Sequence, residues 1–373
     1  MGLSTEAAPA VGRQTVPEGF TGLLDGFRER LDRELEAWLA AKRDEAADAG
    51  SGETLELIDG IAELATEGGK RLRPALVFYT YKACGGRRDE EALPLALATE
   101  LLHTYLLIHD DIMDHAEVRR GRPAAHARFR DFHRANGHSG DASDFGRSVA
   151  ILLGDLAHTW AVELAAGVLP EGPRARELAR AFAAMSQEVI GGQYLELLVA
   201  QRRGATEDEL LRVLRLKSGC YTAERPIQLG GLLAGAPAPV LEALLRYGAA
   251  VGEAFQLQDD LLGMFGDPGT VGKPVDADLK EGKYTFLIHH ALEAATPEQR
   301  RILESSLGNP DLAPADVPRV LAVLEDTGAR ARVTAMVAER LRTARGALSG
   351  LDLEPEGRRC FEGLLDYLWG RER

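Results

Sequence analysis

Helical periodicity runs through almost the whole chain, and it restricts the possible folds more than any other feature. From Phe20 to Ala46, Leu, Phe and Trp recur three and four residues apart among charged residues, the pattern of a helix with one buried face. The same period predicts helices over roughly 146–167, 173–202, 206–235, 238–265, 279–295, 315–346 and 353–369. Another is predicted to open at Asp89, a good N-cap residue, and to run to about Asp114. Glu90 and Glu91 complement the dipole in its first turn, and Pro94 falls early enough to be tolerated. Alternating Val/Ile/Thr runs bounded by hairpin turns are missing, so no sheet is predicted. The polar, Gly-rich stretch 134–147 and the turn-forming stretch 266–278 read as loops. No repeat and no linker divides the chain. The expected organisation is one all-α domain over 18–373, behind a disordered tail at 1–17.

Two of these helices end in dense acid. One closes on His109-Asp110-Asp111-Ile112-Met113-Asp114, the other on Gln258-Asp259-Asp260-Leu261-Leu262-Gly263. Acid at a helix C-terminus opposes the dipole, so surface decoration explains it poorly. Carboxylates packed this closely repel, and oxygen-only ligands suit Mg²⁺, which keeps several waters and bridges carboxylates to phosphates. At about 100° per residue, Asp110 and Asp114 share one face, one turn apart, while Asp111 points a quarter turn away. Asp110 and Asp114 are therefore the better ligands, with Asp111 a helper. His103 lies two turns before Asp110 on nearly the same face.

Cations occur where a phosphate site needs them. Gly68-Gly69-Lys70-Arg71-Leu72-Arg73-Pro74 precedes a helix, and its glycines permit close backbone approach to an anion. Arg119-Arg120-Gly121-Arg122-Pro123 follows the first acidic cluster, and Arg forks match phosphate oxygens. Lys217-Ser218-Gly219 interrupts an apolar helical stretch. Lys273 and Lys283 follow the second cluster, and Gln256 falls about one turn before its acids.

The net charge of −14 argues against nucleic acid as a partner but leaves room for an anion bound through local cations and metal. The three widely separated cysteines fit neither a disulfide framework nor a zinc site and are expected to be reduced, in the cytoplasm. Residues 1–17 lack the apolar centre of a secretory signal. The most apolar stretch, Leu93 to Ile108, is broken by Pro94, Glu100 and His103, so no stable membrane anchor is expected.

Taken in order, Gly-Gly-Lys-Arg-Leu-Arg-Pro, Glu-Leu-Leu-His, Asp-Asp-Ile-Met-Asp, Arg-Arg-Gly-Arg-Pro, Gly-Gln-Tyr-Leu-Glu-Leu (192–197), Lys-Ser-Gly, Phe-Gln-Leu-Gln-Asp-Asp and Gly-Lys-Pro resemble the trans-isoprenyl diphosphate synthases, or polyprenyl synthetases, over roughly 55–290. The resemblance implies an antiparallel helical bundle around a deep cavity, usually a homodimer. The implied reaction joins an allylic diphosphate head to tail with isopentenyl diphosphate, releasing pyrophosphate. By motif, Asp110, Asp114 and Asp259 would hold three Mg²⁺ ions on the allylic diphosphate, with Asp111 and Asp260 beside them. Arg119, Lys217 and Lys273 would contact the same group; Lys70, Arg73, His103 and Arg120 would hold isopentenyl diphosphate; Lys283 adds a further cation. Ser218, where the family commonly has Thr, and Gln256 would face the developing carbocation.

This sequence departs from the family at Gly263, where the second cluster often carries a further Asp that Asp267 cannot be assumed to replace. Glu196 stands where Asp is usual. In the family, bulk just before the first cluster floors the cavity; here Tyr105 and Leu106 hold those places, and the cluster has no two-residue insertion. That combination resembles synthases of geranylgeranyl diphosphate, with farnesyl diphosphate the next alternative. A class I terpene cyclase would carry an Asn/Ser/Glu metal motif instead of the second cluster and would not need Lys70, Arg73 and His103. A non-catalytic partner subunit could lose its acids, and both clusters are kept. A metal phosphohydrolase would leave the basic motifs unexplained.

Overall fold

In the computed structural model, which describes residues 19–169, 172–202, 204–266 and 277–370, helix follows helix. The expectations for the tail at 1–17, for Asp267 and for Lys273 lie outside the described residues. The first half comprises α1 (Phe20–Asp48), α2 (Gly52–Thr66), α3 (Leu72–Ala83), α4 (Asp89–Met113), α5 (Ala125–Ala135), α6 (Ala142–Gly167) and α7 (Pro173–Arg202). After α8 (Glu207–Val213) the chain winds into a π-helix, Leu214–Glu224, before α9 (Arg225–Ala234) and α10 (Ala238–Phe265). Then come α11 (Ala277–Glu281), α12 (Phe286–Ala294), α13 (Pro297–Ser306), α14 (Val317–Asp326), α15 (Ala329–Ala347) and α16 (Pro355–Gly370). Among the described residues the only strands are β1 (Val118–Arg119) and β2 (Arg122–Pro123), paired antiparallel.

Local chemistry explains where the predicted boundaries shift. The loop expected at 134–147 contracts to 136–141, because Asp141 caps α6 by accepting from the Asp144 N–H at 2.8 Å. The single helix expected over 315–346 is two, because Gly328 takes a left-handed φ of 75° between α14 and α15. Gly282, with φ 75°, likewise separates α11 from α12 within the stretch expected at 279–295. The stretch 206–235 opens on a Thr206–Glu209 capping box and then divides at the π-helix.

α4 is the central pillar. Leu95, Ala96, Ala98, Leu101 and Leu102 are fully buried, packed against α6 and α3. Its mean hydropathy of 1.2 over 18 residues, and that of 1.4 for α6, would suit a membrane span by length and composition. In α4, however, 67% of that window is buried inside the protein, against 39% in α6. α10 forms a second pillar, clamped between the π-helix and α15. Tyr247 anchors it to α16 by donating to the Phe361 carbonyl at 2.8 Å.

One buried ion cluster ties the first four helices together. Arg71, in a left-handed conformation at the start of α3, is 3% exposed. Its guanidinium donates to Asp32 of α1 at 2.9 Å, to the Ala65 carbonyl of α2 at 2.7 Å, and to buried Glu100 of α4. Removing one partner of such a pair leaves an uncompensated buried charge, which costs about 3–5 kcal/mol. Glu100→Ala should therefore lower unfolding free energy by about that much in urea denaturation. Asp59→Ala, which breaks the exposed pair with Arg43, should cost under about 1 kcal/mol.

Candidate active site

The last turn of α4 carries the first acidic cluster, and the three aspartates have different surroundings. Asp111 is 2% exposed and accepts from Arg119 Nε at 2.8 Å and again from its Nη2. Burial raises the Asp111 pKa, and Arg119 partly offsets the rise. Asp110 and Asp114 lie in the cleft. Asp114 is pushed up to about 6, first by burial and then by the charge of Asp110. Lys217 approaches Asp110 at 3.9 Å and also pairs with Glu196 of α7. Burial works against the Lys217 charge, but Glu196 and Asp110 outweigh it and raise the pKa.

α10 brings the second cluster to the same cleft. Asp260 accepts from Gln256 Nε2 at 2.8 Å, and Gln256 Oε1 accepts from the Ser218 hydroxyl at 2.8 Å. Burial pushes Asp260 up to about 8, and the neighbouring charge of Asp278 adds to the rise. Asp259 lies beside it, half-buried. Lys283 pairs with Asp278 at 3.1 Å and with Glu281 at 2.9 Å, and its pKa is held well above the usual lysine value despite burial. The two clusters are linked through the π-helix: Lys217 lies 3.9 Å from Asp110, and its neighbour Ser218 donates to Gln256, which donates to Asp260. At Gly263 an added Cβ would lie 3.0 Å from Asp278 Oδ2, so α11 delivers a carboxylate against the very position where the motif lacks one. Asp278 was not among the predicted residues; its only sequence signal is an acid five residues before Lys283.

The π-helix places Lys217 and Ser218 toward this cleft, and glycines let its neighbours close on it. A Cβ on Gly192 of α7 would meet the Lys217 backbone N at 2.4 Å, and one on Gly252 of α10 would meet the Gly219 carbonyl O at 2.3 Å. Widened π-turns recur at functional sites, and here the widened turn carries two predicted site residues.

A cationic wall adjoins the acids along α4. Arg73 of α3 donates to Thr222 at 3.0 Å and lies 4.3 Å from the Tyr221 ring centroid. A guanidinium cannot accept, so His103 Nε2 accepts from Arg73 at 3.4 Å and its Nδ1–H donates to the Tyr221 hydroxyl at 2.7 Å. Burial and the surrounding arginines hold the His103 pKa well below the usual imidazole value, so the ring is neutral. Arg119 and Arg120 are set by the β1–β2 hairpin, whose two-residue turn, Arg120-Gly121, has positive φ at both positions. Arg120 bends back to donate to the Gly68 carbonyl at 3.2 Å, against the glycine pair that precedes α3. Burial lowers its pKa, and the nearby Arg71, Arg119 and Arg73 lower it further. Lys70 places its ammonium 5.7 Å from the Tyr367 ring centroid on α16. A small cavity between these cations and α4 is bounded by Thr104, Leu107, Asp111, Arg119 and Arg120.

Below the acids, the half-buried Tyr105 ring packs against His109 at 4.8 Å and against His158 of α6 at 4.9 Å between centroids. Leu106 is partly buried against the core.

The arrangement is an all-helical protein in which two aspartate clusters and a set of lysines and arginines meet. Residues 56–324 match the polyprenyl synthetase family model, and the chain belongs to that family of prenyltransferases. The geranylfarnesyl diphosphate synthase of Aeropyrum pernix is 33% identical over 323 residues, 85% of this chain and 93% of that one. The geranylgeranyl diphosphate synthase of Saccharolobus solfataricus is 35% identical over 70% of this chain and 74% of its own length. The crystal structure of geranylgeranyl pyrophosphate synthase from Corynebacterium glutamicum, complexed with isoprenyl diphosphate and magnesium, superposes with a TM-score of 0.88 at 32% identity, over 93% of this chain and 99% of that one.

The close approach at Gly252 gives a direct test of the clamp on the π-helix. Gly252→Ala drives α10 away from Gly219 and displaces Lys217, and a shift of about 1 Å at a reacting centre costs on the order of 100-fold. Steady-state kinetics should show that loss mainly in kcat.

Proposed function

We propose that this chain condenses an allylic diphosphate with isopentenyl diphosphate, head to tail, and gives geranylgeranyl diphosphate. The observation that supports this most is the link between the two aspartate clusters through adjacent residues of the π-helix, Lys217 beside Asp110 and Ser218 joined through Gln256 to Asp260. The donor set fits Mg²⁺: it is all carboxylate, and Asp114 and Asp260 are pushed up to about 6 and about 8 by burial and like charge, which a divalent cation would relieve. Asp110, Asp114 and Asp259 would hold three ions. When bound, the metal neutralises charge developing on the departing pyrophosphate.

The chain's own groups do the rest. Lys217, fixed by Glu196 and close to Asp110, supplies a further cation to the allylic diphosphate, as does Arg119. Lys273 would join them from outside the described residues. Arg73, Arg120, Lys70 and neutral His103 orient isopentenyl diphosphate, and His103 acts there as a positioner rather than a base. Ser218 and Gln256 offer weak, oriented dipoles beside the carbocation, linked to Asp260, while apolar walls exclude the water that would quench it. Pyrophosphate, held in place as it leaves, can accept the final proton.

The apolar stripe Ile190, Tyr194, Leu197 and Leu198 on α7 is exposed, as are Ile151, Leu152 and Val162 on α6. Such a face supports a homodimer through these helices. Free cysteines and water-soluble substrates favour the cytoplasm.

Incubation of the purified chain with each short allylic diphosphate, labelled isopentenyl diphosphate and Mg²⁺ tests the reading. The twenty-carbon diphosphate should dominate. Loss of both carboxylates in the Asp110→Asn, Asp259→Asn double variant should cost at least about 1,000-fold in kcat/KM. Cyclised hydrocarbon from allylic substrate alone, or full activity in the double variant, would contradict the reading. Tyr105→Ala opens the floor between α4 and α6, and the same assay should show longer products.

A further inference from the structure

A second group of metal-ligating side chains lies away from the aspartates, on α12. His289, His290 and Glu293 each place one ligand atom within 4.8 Å of the others, the one such group among the described residues. Both histidines are buried, at 9% and 2% exposure, whereas Glu293 reaches solvent. His289 Nε2 lies 3.7 Å from Glu293 Oε1, and His290 Nδ1 lies 3.3 Å from Glu293 Oε2. Ligand atoms around a tetrahedral zinc ion at about 2.0–2.1 Å sit about 3.3 Å apart, close to both of these separations. The rings are already fixed, His289 against Tyr284 and His290 against Phe286, with 5.3 Å between the two imidazole centroids.

His290 turns its Nδ1 to Glu293, while Nε2, on the other side of the ring, is buried with no hydrogen-bond partner. Burial, against the opposing pull of Glu293, lowers its pKa and keeps the ring in the neutral form that binds metal. Glu293 is shared with Arg332 of α15 at 3.2 Å, an exposed ion pair that a metal can displace at small cost. Two imidazoles and one carboxylate favour borderline transition ions over Mg²⁺, which prefers oxygen.

We propose that His289, His290 and Glu293 bind a zinc-class divalent ion, separate from the aspartate site, with water completing its shell. The ion would pin α12, which begins just after Lys283, and would act on stability rather than on bond making.

The test uses the full chain stripped with chelator and kept in excess Mg²⁺, so that the aspartates are occupied. Zn²⁺ is titrated in competition with a chromophoric chelator, and Co²⁺ is substituted to read its visible absorption. One equivalent per chain should bind at micromolar free Zn²⁺, raise the thermal midpoint, and give the intense visible bands of a tetrahedral, nitrogen-ligated Co²⁺. His289→Ala and Glu293→Gln should each weaken binding by at least roughly tenfold, while Asp110→Asn keeps it. Glu293 is half-exposed, so Glu293→Gln folds and isolates the ligand effect. No binding to the parent chain, unchanged binding in both α12 variants, or loss of the ion in Asp110→Asn would overturn the proposal.

Discussion

Mutual repulsion among carboxylates that share one partly buried cleft is the constraint on which the rest of the site depends. Like charges brought together out of water must be neutralised or protonated. This chain does part of the neutralising with lysines that other acids hold in place. Glu196 fixes Lys217 beside Asp110, and Asp278 and Glu281 hold Lys283. The remaining strain is visible in Asp114 and Asp260, both pushed up in pKa.

The fold serves that constraint by stiffness. α4 and α10 each present acid at one end and a buried apolar shaft along the rest, so the two clusters are set by helix packing and not by loops. The Arg71 cluster joins α1, α2, α3 and α4 at the height of His103, which fixes the cationic wall relative to the acids. Arg119 belongs to both sides. Its guanidinium is taken by Asp111, and Asp110 lies 3.9 Å away.

Much of this was legible from spacing. The helical period predicted the pillars, and the quarter turn between Asp110 and Asp111 separated the cleft-facing acid from the one that Arg119 buries. What spacing could not carry are the tertiary partners. His103 meets Tyr221, which follows it by more than a hundred residues, and nothing local marks that pairing. The π-helix is invisible to a 3.6-residue period because the widened turns depend on α7 and α10 closing through Gly192 and Gly252. Asp278 escaped notice for the same reason: its closeness to Gly263 exists only after α11 folds back on α10. The Arg120-Gly121 hairpin was readable as a turn but not as the device that turns Arg119 to Asp111 and Arg120 to the Gly68 carbonyl.

The most direct test of the central claim is the position of the metal itself. Crystals grown with Mn²⁺ in place of Mg²⁺ and an unreactive allylic diphosphate analogue should show three anomalous peaks in the cleft, held by Asp110, Asp114 and Asp259. Peaks confined to one cluster, or a diphosphate bound without metal against the arginines alone, would contradict the account.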